Sequence, residues 1–152
     1  MAAKKSTKPK RAKAGERKNP YPSLPKAAPT LARIRKICLG LPETTEKIAW
    51  GAPTFRAGGK IFVMFSDNHH GDGRLAIWCD APPGSQQALV ASDPGHFFVP
   101  PYVGCYGWLG ICLDRGLSWS IVTELVKEAH RTRAPQLADG PTKPGLRSSG
   151  RK

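Results

Sequence analysis

Acidic side chains are scarce in this chain: 11 Asp and Glu stand against 24 Lys and Arg in 152 residues, a net charge of +13. Long apolar runs are missing as well. No window approaches the roughly 18 consecutive apolar residues that a membrane-spanning helix needs, so no membrane partner is expected. The basic N-terminus is followed by no apolar stretch of the kind a secretory signal carries. Cysteines number four, at 38, 79, 105 and 112, without a C-x-x-C pair or a zinc-type spacing. Each has apolar neighbours, and all four read as buried free thiols of a reducing compartment. The sequence also lacks a G-x-S-x-G elbow, an H-E-x-x-H pair, a Walker loop and a dinucleotide fingerprint. No catalytic residue, metal centre or cofactor is expected, and the default is a monomeric cytoplasmic protein, nucleoid-associated if it meets DNA.

What the chain does have is positive charge, unevenly placed. Residues 1–29 hold nine Lys and Arg against Glu16 alone, whereas residues 30–134 hold eleven against nine acids. The 1–29 segment and residues 136–152 are rich in Lys, Ala, Pro, Ser and Gly and nearly free of large apolar side chains. Such segments cannot bury enough surface to offset their ordering entropy, so both read as disordered tails. A flexible polycation neutralises phosphates of any sequence and releases counterions. Lys4, Lys5, Lys8, Lys10, Arg11, Lys13, Arg17 and Lys18 are therefore candidate DNA contacts, without base specificity.

Between the tails, residues 30–135 read as one domain. Thr30 is a candidate N-cap for a helix with Leu31, Ile34, Cys38 and Leu41 on one stripe. Residues 46–57 read as extended chain bent at Gly51 and Pro53. Gly58-Gly59 marks a hairpin into a strand from Lys60. Residues 67–73 read as a polar turn, in which His69 and His70 are solvated, and 74–80 as the next strand. A short helix over 85–92, an extended segment at 97–104, a strand over 107–114 and a helix capped by Ser118 complete the order. This pattern predicts an α+β fold, with helices on one face of a mostly antiparallel sheet.

Several segments together resemble the MmcQ/YjbR family. They are Leu41-Pro42-Glu43-Thr44-Thr45-Glu46, Trp50-Gly51-x-Pro53-Thr54-Phe55-Arg56, Gly59-Lys60-Ile61-Phe62, Phe98-Val99-Pro100-Pro101-Tyr102-Val103-Gly104, Gly107-Trp108-x-Gly110 and Leu113-Asp114. The closing helix, with Ala129-x-Arg131-x-x-Ala134-Pro135, extends the likeness over roughly residues 31–135. The resemblance implies a CyaY-like fold and DNA binding through strand hairpins described as a double wing. Tyr106 stands where relatives often carry a basic residue, and His130 where an aromatic is common.

Within the domain, the hairpin between Arg56 and Lys60 is the candidate wing, with Arg74 reinforcing the same edge. Trp50, Phe55, Trp78, Trp108 and Trp119 read as core. Tyr102 and Tyr106, with Trp108 nearby, form a candidate ligand surface in a Gly/Pro-rich segment. The leading expectation is a non-catalytic, sequence-independent DNA-binding protein. The alternative is a small-molecule or protein-interaction module with a solubilising tail, favoured by the near-balanced charge of residues 30–134.

Overall fold

A computed structural model describes residues 20–133; the candidate contacts from Lys4 to Lys18, and the 136–152 tail, lie outside the described residues. In chain order the elements are α1 (Ala27–Leu39), β1 (Thr44–Ala49), β2 (Ala52–Ala57), β3 (Lys60–Asp67), β4 (Leu75–Cys79), α2 (Ser85–Ser92), β5 (Phe97–Phe98), β6 (Leu109–Cys112) and α3 (Trp119–Arg133). The strands form one sheet in the order β1-β2-β3-β4-β6-β5, and every neighbouring pair is antiparallel. The fold is α+β, as the pattern of elements predicts.

The main core lies between the sheet and helices α1 and α3. Period-two alternation sends Leu75, Ile77 and Cys79 of β4, and Leu109 and Ile111 of β6, toward these helices, where they meet Ile34, Cys38, Val122 and Val126. A β-bulge adjusts β3. Phe55 pairs with Val63 but Arg56 pairs with Ile61, so Phe62 is the extra residue. That is how the consecutive side chains Phe62 and Val63 both reach the helix-side core. The other face carries a smaller cluster of Ala76, Trp78, Phe98, Trp108 and Cys112, with Ile61, Met64 and Val103 beside it. We call this the outer face.

Several elements depart from the sequence reading. Helix α1 begins at Ala27, not after Thr30, and Thr30 is buried in its first turn. The chain ahead of it is tied to the β3–β4 turn. The Leu24 amide donates to Asp67 Oδ1 at 2.8 Å, and Asn68 Nδ2 donates to the Pro22 carbonyl at 3.0 Å. Leu24 also packs on the core, so the segment from Pro20 to Thr30 is part of the globule rather than of a tail. The extended run at 46–57 is two strands joined by a tight turn. Of the 97–104 segment, only Phe97–Phe98 pairs as a strand. The prolines at 100 and 101 offer no amide to a ladder, and the chain coils over the outer face instead.

Cys38, Cys79 and Cys112 are buried and Cys105 is exposed, a correction to the reading of four buried thiols. Burial pushes the Cys38, Cys79 and Cys112 thiols up from their ordinary value, the first two strongly. A disulfide-exchange reagent is expected to label one thiol quickly in the native protein and four after denaturation. Gly110 gives a second test. A Cβ there would come within 2.5 Å of the Phe98 ring, so Gly110→Ala is expected to cost about 1–3 kcal/mol, read as a lower urea midpoint.

Candidate nucleic-acid interface

Strands β1 and β2 are joined by the two residues Trp50 (φ 53°) and Gly51 (φ 78°), with Ala49 opposite Ala52 as the closing pair. Two left-handed residues in a two-residue loop match the right-handed twist of the strands. Pairing of β2 with β3 stops at Thr54 opposite Met64. The next residue toward the tip is Pro53, which has no amide to donate, so the tip stands beyond the β3 ladder. Trp50 is 64% exposed at this tip and Ile48 is 48% exposed beside it.

Alternation sorts the hairpin's charges by face. Glu46 points to the helix side, where Arg35 of α1 holds it through two nitrogens, Nε to Oε1 at 2.8 Å and Nη2 to Oε2 at 2.9 Å. The carboxylate in turn raises the Arg35 guanidinium above its ordinary value. Thr45, Lys47, Thr54 and Arg56 occupy the outer face. Lys47 lies opposite Thr54, and Arg56 opposite Thr45, which makes the two cations diagonal neighbours about 7–8 Å apart. Arg56 leans over the buried Thr54, Nε to Oγ1 at 3.4 Å, and Thr54 Oγ1 donates to the Lys47 carbonyl at 2.8 Å. Among the described residues, no carboxylate of β1 or β2 lies on this hairpin face.

The residues expected to form a single wing do not come together. Lys60 pairs with Ala57, whose side chain enters the helix-side core, so Lys60 is on the opposite face from Arg56. Arg74 lies level with Asn68, to which its carbonyl is hydrogen-bonded. Arg56 lies level with Ile61. Seven residues of β3 separate the two levels, roughly 23 Å along the strand. The Arg74 guanidinium stacks 4.1 Å from the centre of the Phe98 ring. Lys47 and Trp50, absent from the sequence-based site, take these places instead. The hairpin signal that points to them is the pair Trp50-Gly51 between two alternating runs; reading tryptophan as core concealed it.

Of the candidate ligand surface, Tyr102 and Tyr106 are exposed, at 67% and 76%, but Trp108 is buried beside Trp78 and Phe98. The carbonyls of Gly104 and Trp108 accept from Gln86 Nε2, which pins this segment to α2. The turn at 67–73 is less solvated than its polarity suggests. The His69 ring is half-buried and stacks edge-on at 5.0 Å from Trp78. His96 resembles half of a catalytic pair, with Nδ1 at 2.9 Å from Asp93 Oδ2, but its Nε2 faces the Arg115 carbonyl at 2.8 Å. The Asp93 contact, then that carbonyl, raises its pKa, and both ring nitrogens are engaged within the protein. Among the described residues, no three His, Cys, Asp or Glu side chains are grouped to hold a metal ion.

A family model named YjbR matches residues 39–132. No curated protein matches the chain. Among solved structures, the crystal structure of Deinococcus radiodurans protein DR2400, of domain family DUF419, is similar at a TM-score of 0.59 and 14% identity. The match covers 71% of this chain and 87% of that one, and at this identity it speaks for the fold alone.

Trp50 holds a left-handed conformation that Asn or Gly adopts at lower cost. Trp50→Asn is therefore expected to stabilise the protein by about 1 kcal/mol, read as a higher urea midpoint. A lower midpoint would mean that Trp50 serves folding rather than an external contact.

Proposed function

The chain belongs to the YjbR family, and on that premise we propose that it is a non-catalytic nucleic-acid-binding protein that docks through its β1–β2 hairpin. The observation that carries this reading is the hairpin's outer face: an exposed tryptophan at the tip, two cations behind it, and the one nearby acid turned away and neutralised. An exposed aromatic stacks on bases of any sequence or wedges between base steps. Lysine and arginine at phosphate-like spacing hold the backbone without reading sequence. The lysines and arginines from Lys4 to Lys18 add long-range attraction to the same polyanion.

One observation favours a second reading. Residues 20–133 carry twelve Lys and Arg against nine acids, a modest excess for a dedicated DNA-binding domain. On that reading the globule is an interaction module, and DNA affinity resides in the N-terminal cations alone.

A salt series on random duplex DNA, read by fluorescence anisotropy, separates the two. If six to eight N-terminal charges meet phosphate, log K falls against log salt with a slope of roughly −5 to −7. Replacing Lys47 and Arg56 together by alanine is expected to make the slope shallower by about 2. Trp50→Asn is expected to weaken binding by about 5- to 150-fold with the slope unchanged. Full affinity in all three hairpin substitutions would leave only the module reading, and a flat salt dependence would end the nucleic-acid reading altogether.

A further inference from the structure

Three polar atoms on the outer face are buried without a hydrogen-bond partner among the described residues: Ser66 Oγ, His69 Nε2 and Trp78 Nε1. Ser66 is 5% and Trp78 4% exposed. They are neighbours. Ser66 lies opposite Ala76, two residues from Trp78 on the same face of β4, and the His69 ring is 5.0 Å from Trp78. Hydroxyl and imidazole adapt to either kind of partner, but an indole N–H only donates. Trp78 therefore needs an acceptor and has none among the described residues.

Tyr102 covers this place. Its ring centre is 5.8 Å from His69 and 6.4 Å from Trp78, and its hydroxyl meets His70 Nε2 at 3.1 Å. Tyr102 (φ 66°) and His70 (φ 52°) both hold left-handed backbone, a cost that persists where the surrounding structure imposes it. Tyr102 is exposed over most of its surface, and its ring leaves this place only by giving up the His70 hydrogen bond and the two ring contacts.

We infer that Ser66, His69, Trp78 and Tyr102 form a binding site for one unpaired nucleobase, which enters beneath the Tyr102 ring. The three rings lie 5.0 to 6.4 Å apart and touch one another, so a planar heterocycle enters only as the Tyr102 ring moves off, and then stacks against the His69 and Trp78 rings. A ring carbonyl accepts from Trp78 Nε1–H, while Ser66 and His69 meet the remaining donors and acceptors of the base edge. A neutral ligand fits better than an anion. Burial, then the neighbouring His70, lowers the His69 pKa against the opposing pull of Asp72, and Arg74 is engaged with Phe98. The base can come from a free nucleoside or from a strand. The β3–β4 turn carrying His69 lies at the same end of the sheet as the Trp50 tip, because β2 runs past Met64 toward that end. The strand-borne case rests on the nucleic-acid reading above; the free-nucleoside case does not.

The test follows the Trp78 indole N–H resonance of the full chain by NMR, assigned by its loss in Trp78→Phe, during titration with thymidine and with a ten-residue oligo(dT). A saturable shift with thymidine, with affinity about tenfold weaker in Ser66→Ala and unaltered in Trp50→Asn, establishes the site for a free base. A shift with oligo(dT) alone establishes it for a strand-borne one. An N–H resonance that neither probe moves would overturn the proposal. If oligo(dT) binds with its usual salt dependence while that resonance stays still, the site falls and the DNA reading stands. If thymidine moves it while no DNA binds, the reverse holds.

Discussion

Every residue of β4 from Leu75 to Cys79 is buried, and the sheet has to be covered on both faces around it. A strand dry on both sides needs two layers of partners. Helices α1 and α3 supply one. The segment from Phe97 to Trp108 supplies the other, with Phe98 laid over Gly110 and Trp108 beside Trp78. That second layer is short, and the apolar cluster it belongs to extends to Ile61 and Met64 of β3. The sheet is therefore sealed at its centre, and at the β1–β2 edge the outer face exposes Thr45 and Lys47 while Ala49 and Thr54 stay buried. The same shortness leaves Tyr102, on the rim of the layer, as the cover over Trp78.

Charge follows from this geometry more than from composition. A strand exposes alternate residues to opposite faces, so Glu46 and Lys47, adjacent in sequence, serve different surfaces. The bidentate pair with Arg35 fastens α1 to the edge strand and cancels the acid. Lys47 and Arg56 remain on the other side, with no carboxylate among the described residues of their hairpin face. A nearly balanced globule can in this way present a locally cationic face.

Much of the architecture is legible along the chain. The strand at 74–80, the helix over 85–92 and the Ser118 cap are legible because their cues are local: period-two alternation, glycine and proline punctuation, a hydroxyl before an amphipathic run. Less local features were not. The start of α1 depends on Leu24 reaching the core and on Asp67 holding its amide, a contact between residues 43 apart. The bulge at Phe62 depends on registration against β2. Trp50 looks like core by residue type and is surface by position, because a turn requiring two left-handed residues placed it at a tip. Cys105 has apolar and aromatic neighbours in sequence yet lies in a short 3-10 turn, Gly104–Tyr106, facing solvent.

The sequence by itself determined the class of fold, the family, and the concentration of positive charge toward the ends, since these depend on composition and short-range periodicity. Which cations share a surface was decided only by tertiary structure. Arg56 and Lys60 are four residues apart and lie on opposite faces, while Lys47 and Arg56 are nine apart and lie together. Strand pairing sets those relations through register and bulge, and register is a property of two strands that neither carries alone.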